Sequence, residues 1–449
     1  MVDAPNIDRT LLRAWMGLGA LALALAGVMA ILLAASRIPG IQNAFPWPLA
    51  FFERGLVAHV VFSFVVWFLA AFGVLLTLVT PSAARSTPLD FLAPALVAVS
   101  FVLLLVPSLS SRGEPTLNNY IPAITDPLYY AGLVVLAAAV LLAVARFLAC
   151  LDPRAWRAPA TLALAAGGGV FALALGAFAQ AYVALASEPF SFDVNETLFW
   201  GGGHILQFLN VSILIAAWIM LVEACLGRPI GAGPVLALAA LAPLAGALVG
   251  FAAETVLDAR AGERWEFFTQ WQYALAPAPV IAAVALARPL FSRPRAAPND
   301  VAFIALILSV VVFALGGGLG LFVDGADTRT PAHYHGVIGG INLALMGVFL
   351  AIALPRAGCP PRPGRGLNMQ IWLYGIGQSV ACIGLFWAGG YGAPRKTAGA
   401  AQGLSEGWAE IGPKIGLYLN GLGALIAVIG GVMFIWTVAR ALSRHGRAV

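Results

Sequence analysis

Twelve runs of mostly apolar residues constrain the fold of this chain more than any other feature of its sequence. A helix needs about 20 consecutive apolar residues to cross a bilayer, and a helix satisfies its own backbone groups in lipid. The predicted spans, numbered 1 to 12 in chain order, cover roughly residues 11–35, 55–80, 90–109, 127–150, 159–185, 197–225, 234–256, 268–287, 301–323, 333–355, 368–390 and 413–439. The sequence therefore predicts an all-α, polytopic membrane helical bundle.

The composition excludes several other classes of protein. Of the residues, 61% are hydrophobic and 10% are charged, whereas soluble domains carry about 25% charged residues. A water-soluble enzyme and a disordered chain are both excluded, since disorder needs low hydrophobicity and high charge. The four cysteines stand singly, so neither a disulfide framework nor a cysteine zinc site is expected. The net charge of +5 is small for 449 residues, and nucleic acid is not an expected partner.

The distribution of Lys and Arg predicts the orientation, because basic loops remain on the cytoplasmic side. With the N-terminus inside, sixteen of the 25 basic residues fall inside, and the other nine, among them Arg264 ahead of span 8, fall outside. Both termini are therefore predicted to be cytoplasmic. No internal repeat or soluble domain is evident, so we expect a single transmembrane domain over residues 1–449, in the bilayer of a bacterial-type inner membrane.

Histidines carry the chemistry that the sequence suggests. Only five occur, and His445 lies in the basic C-terminal tail. His59 is near the start of span 2, His204 near the start of span 6, and His333 and His335 open span 10. Even-numbered spans begin on the outer side, so all four share one depth in the outer third of the bilayer. A single one could be a packing residue, but four ionisable groups at one depth favour a functional site.

The spacing of His333 and His335 limits what they can bind. Positions i and i+2 of a helix point about 200° apart, so the two side chains do not easily share one metal ion. They can instead serve two sites on opposite sides of span 10. Neutral imidazole is a common axial ligand of haem iron. The sequence thus favours two haems flanking span 10, with His59 and His204 supplying the opposing ligands.

Three segments carry a resemblance to a known family. They are AHVVFSFVVWFLA at 58–70, WGGGHILQFLN at 200–210 and AHYHGVIGGINLALMG at 332–347. Together with the twelve spans, they resemble subunit I of the haem-copper oxidase superfamily, which includes the cytochrome c oxidases and the nitric oxide reductases. The resemblance covers essentially the whole chain and implies the fold of that subunit.

The resemblance also implies the roles of the four histidines. His59 and His335 would be the axial pair of a six-coordinate low-spin haem, and His333 the proximal ligand of a five-coordinate high-spin haem. His204 would be the first ligand of a second metal. The expected cofactors are thus two haems, with haem b as the expected type, and a second non-haem metal, iron or copper.

The segment GAPRK at 392–396, after span 11, is similar to the paired basic residues that hold haem propionates in the family. By this resemblance, Arg395 and Lys396 would neutralise propionate carboxylates through charge-assisted hydrogen bonds.

Span 7 departs from the family pattern. The family supplies two adjacent histidines there, whereas residues 248–268 read LVGFAAETVLDARAGERWEFF. The candidate replacements are Glu254 and Asp258, which are four residues apart and share a helix face. One histidine with carboxylates is a harder ligand set, which suits iron or manganese better than copper. Alternatively, both carboxylates lie at the helix end and meet water or Arg260.

Two further departures concern the substrate and the protons. The family places a tyrosine near the active metal, but the corresponding positions hold Phe208 and Phe251, and the glutamate that nitric oxide reductases place near position 208 is absent too. The only acidic residue deep within a predicted span is Glu223, near the inner end of span 6, where it could snorkel to the interface. Proton pumping is therefore not expected.

Three functions are compatible with these features. The first is a respiratory-type oxidoreductase subunit, in which electrons pass from a cytochrome c, or a membrane-anchored cytochrome c subunit, through the low-spin haem to a high-spin haem that binds O2 or NO. His204 and Glu254 would then be the catalytic side chains. The second is a non-catalytic haem protein without the second metal: a gas sensor, an electron-transfer subunit or an assembly subunit. The third is a transporter, which broken helices and paired intramembrane charges would favour.

Overall fold

The computed structural model describes residues 7–36, 48–81, 88–110, 112–292, 297, 299–323, 325, 327–397 and 411–445. The chain is 83% helical. Within the described residues, twelve helices are long and apolar enough to cross a membrane. These are Arg9–Leu33, Phe51–Val79, Leu92–Leu109, Pro127–Ala149, Pro159–Ala184, Phe192–Leu226, Pro234–Val256, Gly262–Ser292, Val301–Phe322, Arg329–Arg356, Arg365–Gly390 and Ile411–Arg444. The prediction of an all-α bundle with twelve spans is confirmed.

Span 8 is longer than the sequence predicts. Its first helix runs Gly262–Trp271, a 3-10 turn follows at Gln272–Leu275, and a second helix runs Pro277–Ser292. The sequence predicts that span 8 begins at about residue 268, but the helix begins at Gly262, so that the polar residues before 268 form its first turns. Arg264, which the sequence predicts to lie in the segment before span 8, is part of this helix. Its side chain is fully buried. Other short 3-10 turns lie at Pro88–Phe91, Pro153–Arg157 and Gly320–Phe322.

Two of the spans contain a π-helical segment. Span 2 consists of the α-helix Pro48–Val60, the π segment Val61–Val66 and the α-helix Trp67–Val79. Span 10 consists of Arg329–Val348, the π segment Phe349–Ala353 and the short helix Leu354–Arg356. A π segment adds a residue to the helical ladder and is frequent at functional sites. Both segments lie on helices that carry predicted haem ligands.

A small β-hairpin lies between spans 3 and 4, where the sequence predicts only a loop. Strand β1 (Pro115–Thr116) pairs antiparallel with β2 (Ala123–Ile124). The hairpin is held to span 6 by hydrogen bonds: the backbone N–H of Asn119 in the connecting segment donates to Glu196 (3.0 Å), and the amide of Asn195 donates to the Thr116 hydroxyl of β1 (3.1 Å). The hairpin thus places residues 117–122 next to the start of span 6.

The chain packs into two compact units, so the single domain over 1–449 remains a prediction. The first unit comprises Met1–Ala26, Glu53–Glu223 and Arg228–Arg293. In this unit, spans 1 and 2 interlock through two tryptophans. A Cβ on Gly73 would lie 2.4 Å from the Trp15 ring, and one on Gly19 would lie 2.8 Å from the Trp67 ring. Each ring therefore needs the glycine opposite it.

The second unit comprises Gly27–Phe52, Ala224–Gly227 and Pro294–Val449, and so contains spans 9 to 12. Spans 9 and 10 touch through backbone at Gly316 and Gly336, where an added Cβ would lie within 2.5 Å of the other helix. Spans 11 and 12 also touch through backbone atoms. Their contact follows a row of glycines seven residues apart on span 12: Gly416, Gly423 and Gly430. Small residues let membrane helices approach this closely.

The three histidine-bearing helices are the most buried spans. In spans 2, 6 and 10, 83%, 94% and 78% of the most apolar window is buried, against 28% to 50% in the other nine spans of the described chain. Spans 4, 5, 8 and 12 instead expose large apolar side chains such as Val134, Val183, Val284 and Trp436. The candidate ligands are therefore carried by helices that the rest of the chain shields from lipid.

Candidate functional site

The four histidines inside the spans share one local contact, a hydrogen bond from Nδ1 to a backbone carbonyl. The N···O distances are 3.0 Å for His59 to Ala26, 2.7 Å for His204 to Trp200, 2.8 Å for His333 to Gly316 and 2.7 Å for His335 to Pro331. A carbonyl oxygen can only accept, so Nδ1 carries the proton and the Nε2 lone pair is the one that can bind a metal. This is the usual outer contact of a metal-binding histidine.

The helices produce these contacts in two ways. His204 and His335 bond to the carbonyl four residues earlier in their own helix, whereas His59 and His333 bond to the preceding span of their own unit. His333 and His335 therefore take their contacts from different helices, in agreement with the divergence predicted for the HxH spacing. Gly320 is required beside His333, because a Cβ there would lie 2.4 Å from its Nδ1.

The His204 imidazole lies in an aromatic pocket. Its ring centroid is 4.5 Å from that of Tyr120, 4.7 Å from that of Trp200 and 5.3 Å from that of Phe268. Tyr120 lies in the segment between β1 and β2, in a left-handed conformation (φ 64°), and approaches Gly203 so closely that a Cβ there would be 2.8 Å away. Burial, with the negative charge of Glu196, raises the pKa of this phenol above its ordinary value of 10.0. Tyr120 is therefore protonated at neutral pH.

The carboxylate of Glu254 forms an ion pair with Arg264. Arg264 Nη2 donates to Oε1 (2.8 Å) and Nε donates to Oε2 (3.0 Å), and the side-chain exposures are 0% for Arg264 and 2% for Glu254. We call these two residues the buried ion pair. Asp258, four residues on, is exposed and accepts from the backbone N–H of Arg260 (2.9 Å). Within the described part of the chain, no three His, Cys, Asp or Glu side chains are grouped as a metal site.

Phe208 and Phe251 are packing residues in this structure. Phe208 lies against Gly246 of span 7, and Phe251 against Gly176 of span 5. Glu223, near the C-terminal end of span 6, accepts a hydrogen bond from the backbone N–H of Ile230 (2.9 Å).

The loop of Arg395 and Lys396 is fastened to the start of span 10. Asp327 forms a β-bridge with Pro394, and the backbone N–H of Thr328 donates to Ala393 (2.9 Å). Lys396 has a left-handed backbone (φ 59°), which costs energy in a residue with a Cβ. The predicted propionate ligands and the two histidines of span 10 are thus connected by a short, hydrogen-bonded stretch of chain.

Sequence reasoning missed three residues near His204: Tyr120, Arg264 and Phe268. Tyr120 lies in a loop, far from any recognised motif. Arg264 follows Glu254 by ten residues, across a helix break, so helical spacing gave no sign that they meet. The one available signal is the set of aromatic residues Trp265, Phe267 and Phe268 directly after Arg264, which is compatible with a helix that starts before residue 268.

Twelve spans define a multi-pass membrane protein, and four histidines within the described spans each bond to a backbone carbonyl. The sequence model of the family "Cytochrome C and Quinol oxidase polypeptide I" matches residues 10–414, and the chain belongs to this family.

Individual relatives are more distant. An uncharacterized protein of Rickettsia prowazekii (strain Madrid E) is 23% identical over 504 residues, covering 97% of this chain and 96% of that protein. An uncharacterized protein of Aquifex aeolicus (strain VF5) is 27% identical over 337 residues, covering 74% of this chain and 82% of that protein. Among solved structures, a heme-copper terminal oxidase dimer is similar, with a TM-score of 0.74 and 14% identity over 97% of this chain and 84% of that one.

Family and fold are those of a respiratory oxidoreductase, and the family generally binds haems and a second metal. The residues present fit haem, since each histidine has Nδ1 protonated and Nε2 as its potential ligand atom. They do not fit the second metal, because the carboxylate nearest to the expected place is held by Arg264. The ion pair of Glu254 and Arg264 is a paired charge of the kind that would favour a transporter. Because the chain belongs to an oxidase family, a transporter is nevertheless the weaker hypothesis.

Proposed function

We propose that this chain is the haem-carrying subunit of a respiratory-type oxidoreductase in a bacterial inner membrane. Its electron donor would be a cytochrome c, or a membrane-anchored cytochrome c subunit, and its ligand O2 or NO. His59 and His335 would bind a low-spin haem, and His333 a high-spin haem, as the resemblance implies. The haems, expected to be haem b, would supply one-electron chemistry and an iron with an open position.

One observation carries this proposal. All four histidines within the described spans have Nδ1 hydrogen-bonded to a carbonyl, with N···O distances of 2.7 to 3.0 Å. A packing histidine could use either nitrogen and any partner, whereas a ligand must keep Nε2 unprotonated. The same arrangement at the three predicted haem ligands, His59, His333 and His335, therefore supports haem binding.

The polar residues around the spans support two finer parts of the proposal. Arg395 and Lys396 lie on a loop fastened to span 10, as residues that hold haem propionates should. Glu223 is used by a backbone N–H at the inner end of span 6, so it is not a free carboxylate for moving protons. We therefore propose reduction of the ligand without proton pumping.

A second function is favoured by the buried ion pair. Because Glu254 is held by Arg264 rather than grouped with His204, the chain is compatible with a non-catalytic haem protein that lacks the second metal. Such a protein would sense a gas, transfer electrons or take part in assembly of a complex.

The test is an optical titration of the full chain purified with its haems. Reduced-minus-oxidised spectra, recorded with and without CO, should show two haems, one of which shifts with CO. Electron delivery from a reduced soluble cytochrome c, with O2 or NO consumption as the readout, would then separate an oxidoreductase from a sensor. Two haems without a CO response would restrict the function to electron transfer, and a protein without haem would refute the proposal.

A further inference from the structure

The buried ion pair lies where span 7 meets the start of span 8. Two parallel N–H···O bonds of 2.8 and 3.0 Å join the guanidinium to both carboxylate oxygens, which is the strongest arrangement for this pair of groups. Arg264 also donates to the carbonyls of Thr197 and Ala259, each at 3.2 Å. Four of the five N–H donors of the guanidinium are thereby used, two by the carboxylate and two by backbone, and the cation is fixed in one position.

Span 6 is shaped to receive this carboxylate. A Cβ on Gly201 would lie 1.9 Å from Glu254 Oε2, so only glycine permits the contact. His204 follows Gly201 by three residues and therefore lies on the same face of span 6. Phe268 contacts both groups: its ring centroid is 5.9 Å from Arg264 Cζ and 5.3 Å from the His204 centroid. The ion pair and His204 thus belong to one packed cluster of the first unit.

Charge balance argues against a further cation in this cluster. The carboxylate of Glu254 and the guanidinium of Arg264 cancel, and the His204 imidazole has to be neutral to act as a ligand. A divalent ion bound by His204 and Glu254 would leave an excess of two positive charges. Charges buried without compensation are strongly disfavoured. In the described residues no three His, Cys, Asp or Glu side chains form a metal-binding group here, and the charge of Glu196 acts on Tyr120.

The surroundings of His204 lead to the same conclusion. Tyr120, Trp200 and Phe268 lie against its ring at centroid distances of 4.5 to 5.3 Å, so its neighbours are aromatic rather than ligating. The indole N–H of Trp200 is buried and has no acceptor among the described residues. An unsatisfied donor next to the imidazole suits an acceptor such as water, and does not suit a metal cation.

We infer that the buried ion pair of Glu254 and Arg264 takes the place of the second metal, so that the chain binds a diatomic gas at a single haem iron. Arg264 supplies the fixed positive charge, and His204, held by Trp200, serves as a neutral hydrogen-bonding residue rather than as a metal ligand. The inference rests on the proposed haem binding for the gas ligand, but the absence of a second metal stands on this cluster alone.

The test counts metals and haem separately in the full chain, purified from cells supplied with copper and iron. Haem is measured as its pyridine complex, and copper, iron and manganese by mass spectrometry, before and after incubation with Cu2+, Fe2+ or Mn2+ and gel filtration. We expect iron to equal haem, and every other metal to remain substoichiometric, in the wild type as in the His204→Ala variant.

Further variants identify any metal that does appear. One additional metal atom per chain in the wild type, lost in His204→Ala, would overturn the inference; its loss in Glu254→Gln but not in the exposed Asp258→Asn would identify Glu254 as a ligand. Absence of haem with no second metal would refute the proposed function and leave the metal-free cluster intact. Two haems with a stoichiometric second metal would support the proposed function and overturn the inference of a metal-free cluster.

Discussion

At the scale of single residues, the side chains that matter most are fixed by backbone atoms. Each histidine within the described spans bonds through Nδ1 to a carbonyl, and Arg264 bonds to two carbonyls besides its carboxylate. Backbone acceptors do not rotate away, so the orientation of these groups is set when the helices pack. The site is therefore largely built before any cofactor is added.

The two histidines of span 10 should have separable effects. Because their rings take contacts from different helices, His335→Ala should remove the low-spin haem spectrum and leave a CO-reactive haem. His333→Ala should abolish the CO response and leave the low-spin spectrum. Reduced-minus-oxidised spectra measure both, and His445→Ala, near the C-terminus, is the matched control. Loss of the same haem spectrum in both variants would contradict separate sites.

The buried ion pair should be strongly coupled in thermal unfolding. Glu254→Gln or Arg264→Met alone leaves an uncompensated buried charge, which costs about 3–5 kcal/mol in proteins generally. The double variant should recover much of this loss, because it removes both charges. Unfolding in detergent measures the effect, and the exposed Asp258→Asn should change stability by less than about 0.5 kcal/mol. Additive losses in the double variant would show that the two residues do not interact.

Stability should depend on pH through Asp327. Burial alone would raise its pKa, but hydrogen bonds and the charge of Arg329 outweigh burial and hold the pKa of Asp327 below its ordinary value of 3.8. A lowered pKa in the folded state adds stability that is complete above 3.8 and is lost as the pH falls through the folded value.

The unfolding temperature of the wild type should therefore exceed that of Asp327→Asn at neutral pH. The difference should vanish as the pH falls through the lowered pKa of Asp327. A difference that grows with acidity would mean that this carboxylate does not stabilise the fold.

At the scale of elements, hydropathy predicted every span, because the length of each apolar run is dictated by the thickness of the bilayer. It missed three kinds of detail, each with a physical cause. The π segments Val61–Val66 and Phe349–Ala353 arise from packing and leave no periodic signal. The hairpin has only two residues per strand, too few for an alternation to be visible. Span 8 starts early because Arg264 is neutralised by a partner that sequence spacing does not indicate.

The glycine row of span 12 should be intolerant of side chains. A Cβ on Gly423 would lie 2.3 Å from the backbone N of Ala381, so Gly423→Leu must separate spans 11 and 12. Overpacking of this kind typically costs 1–3 kcal/mol. Thermal unfolding in detergent measures the loss. Gly421, two residues earlier, has no atom within 4 Å of such a Cβ, so Gly421→Leu is the matched control. Equal effects of the two variants would argue against this contact.

At the scale of the whole molecule, orientation rests on the basic residues. The loops predicted to be cytoplasmic hold sixteen of the 25 Lys and Arg residues, so both termini should be inside. Reporter fusions at each terminus test this: alkaline phosphatase, active only outside, should be inactive, and a fluorescent protein that matures only inside should be bright. The reverse result at both ends would invert the topology, and opposite results at the two ends would contradict twelve spans.

The family could be predicted from the sequence because a few motifs are spread over the whole chain. The TM-score of 0.74 at 14% identity shows that the fold needs the apolar spans and few particular residues. The candidate site was harder. The histidines can be found because they are rare and share a depth. Glu254 is a candidate ligand because span 7 lacks the family's histidine pair, and helical spacing does not indicate that Arg264 is its partner. A buried charge cannot be interpreted until its partner is located.

Because span 2 contains a π segment, the number of residues in that segment sets the direction of His59 relative to Trp67. A π turn amounts to one residue inserted into an α-helix, and each residue turns the helix by about 100°. Deleting any one residue within Val61–Val66 would restore a regular helix of nearly the same hydropathy, with Trp67 still anchored against Gly19. His59 would then be rotated by about 100° relative to that anchor. In this helix, deletion of a single codon would turn His59 away from its present position without replacing the histidine itself.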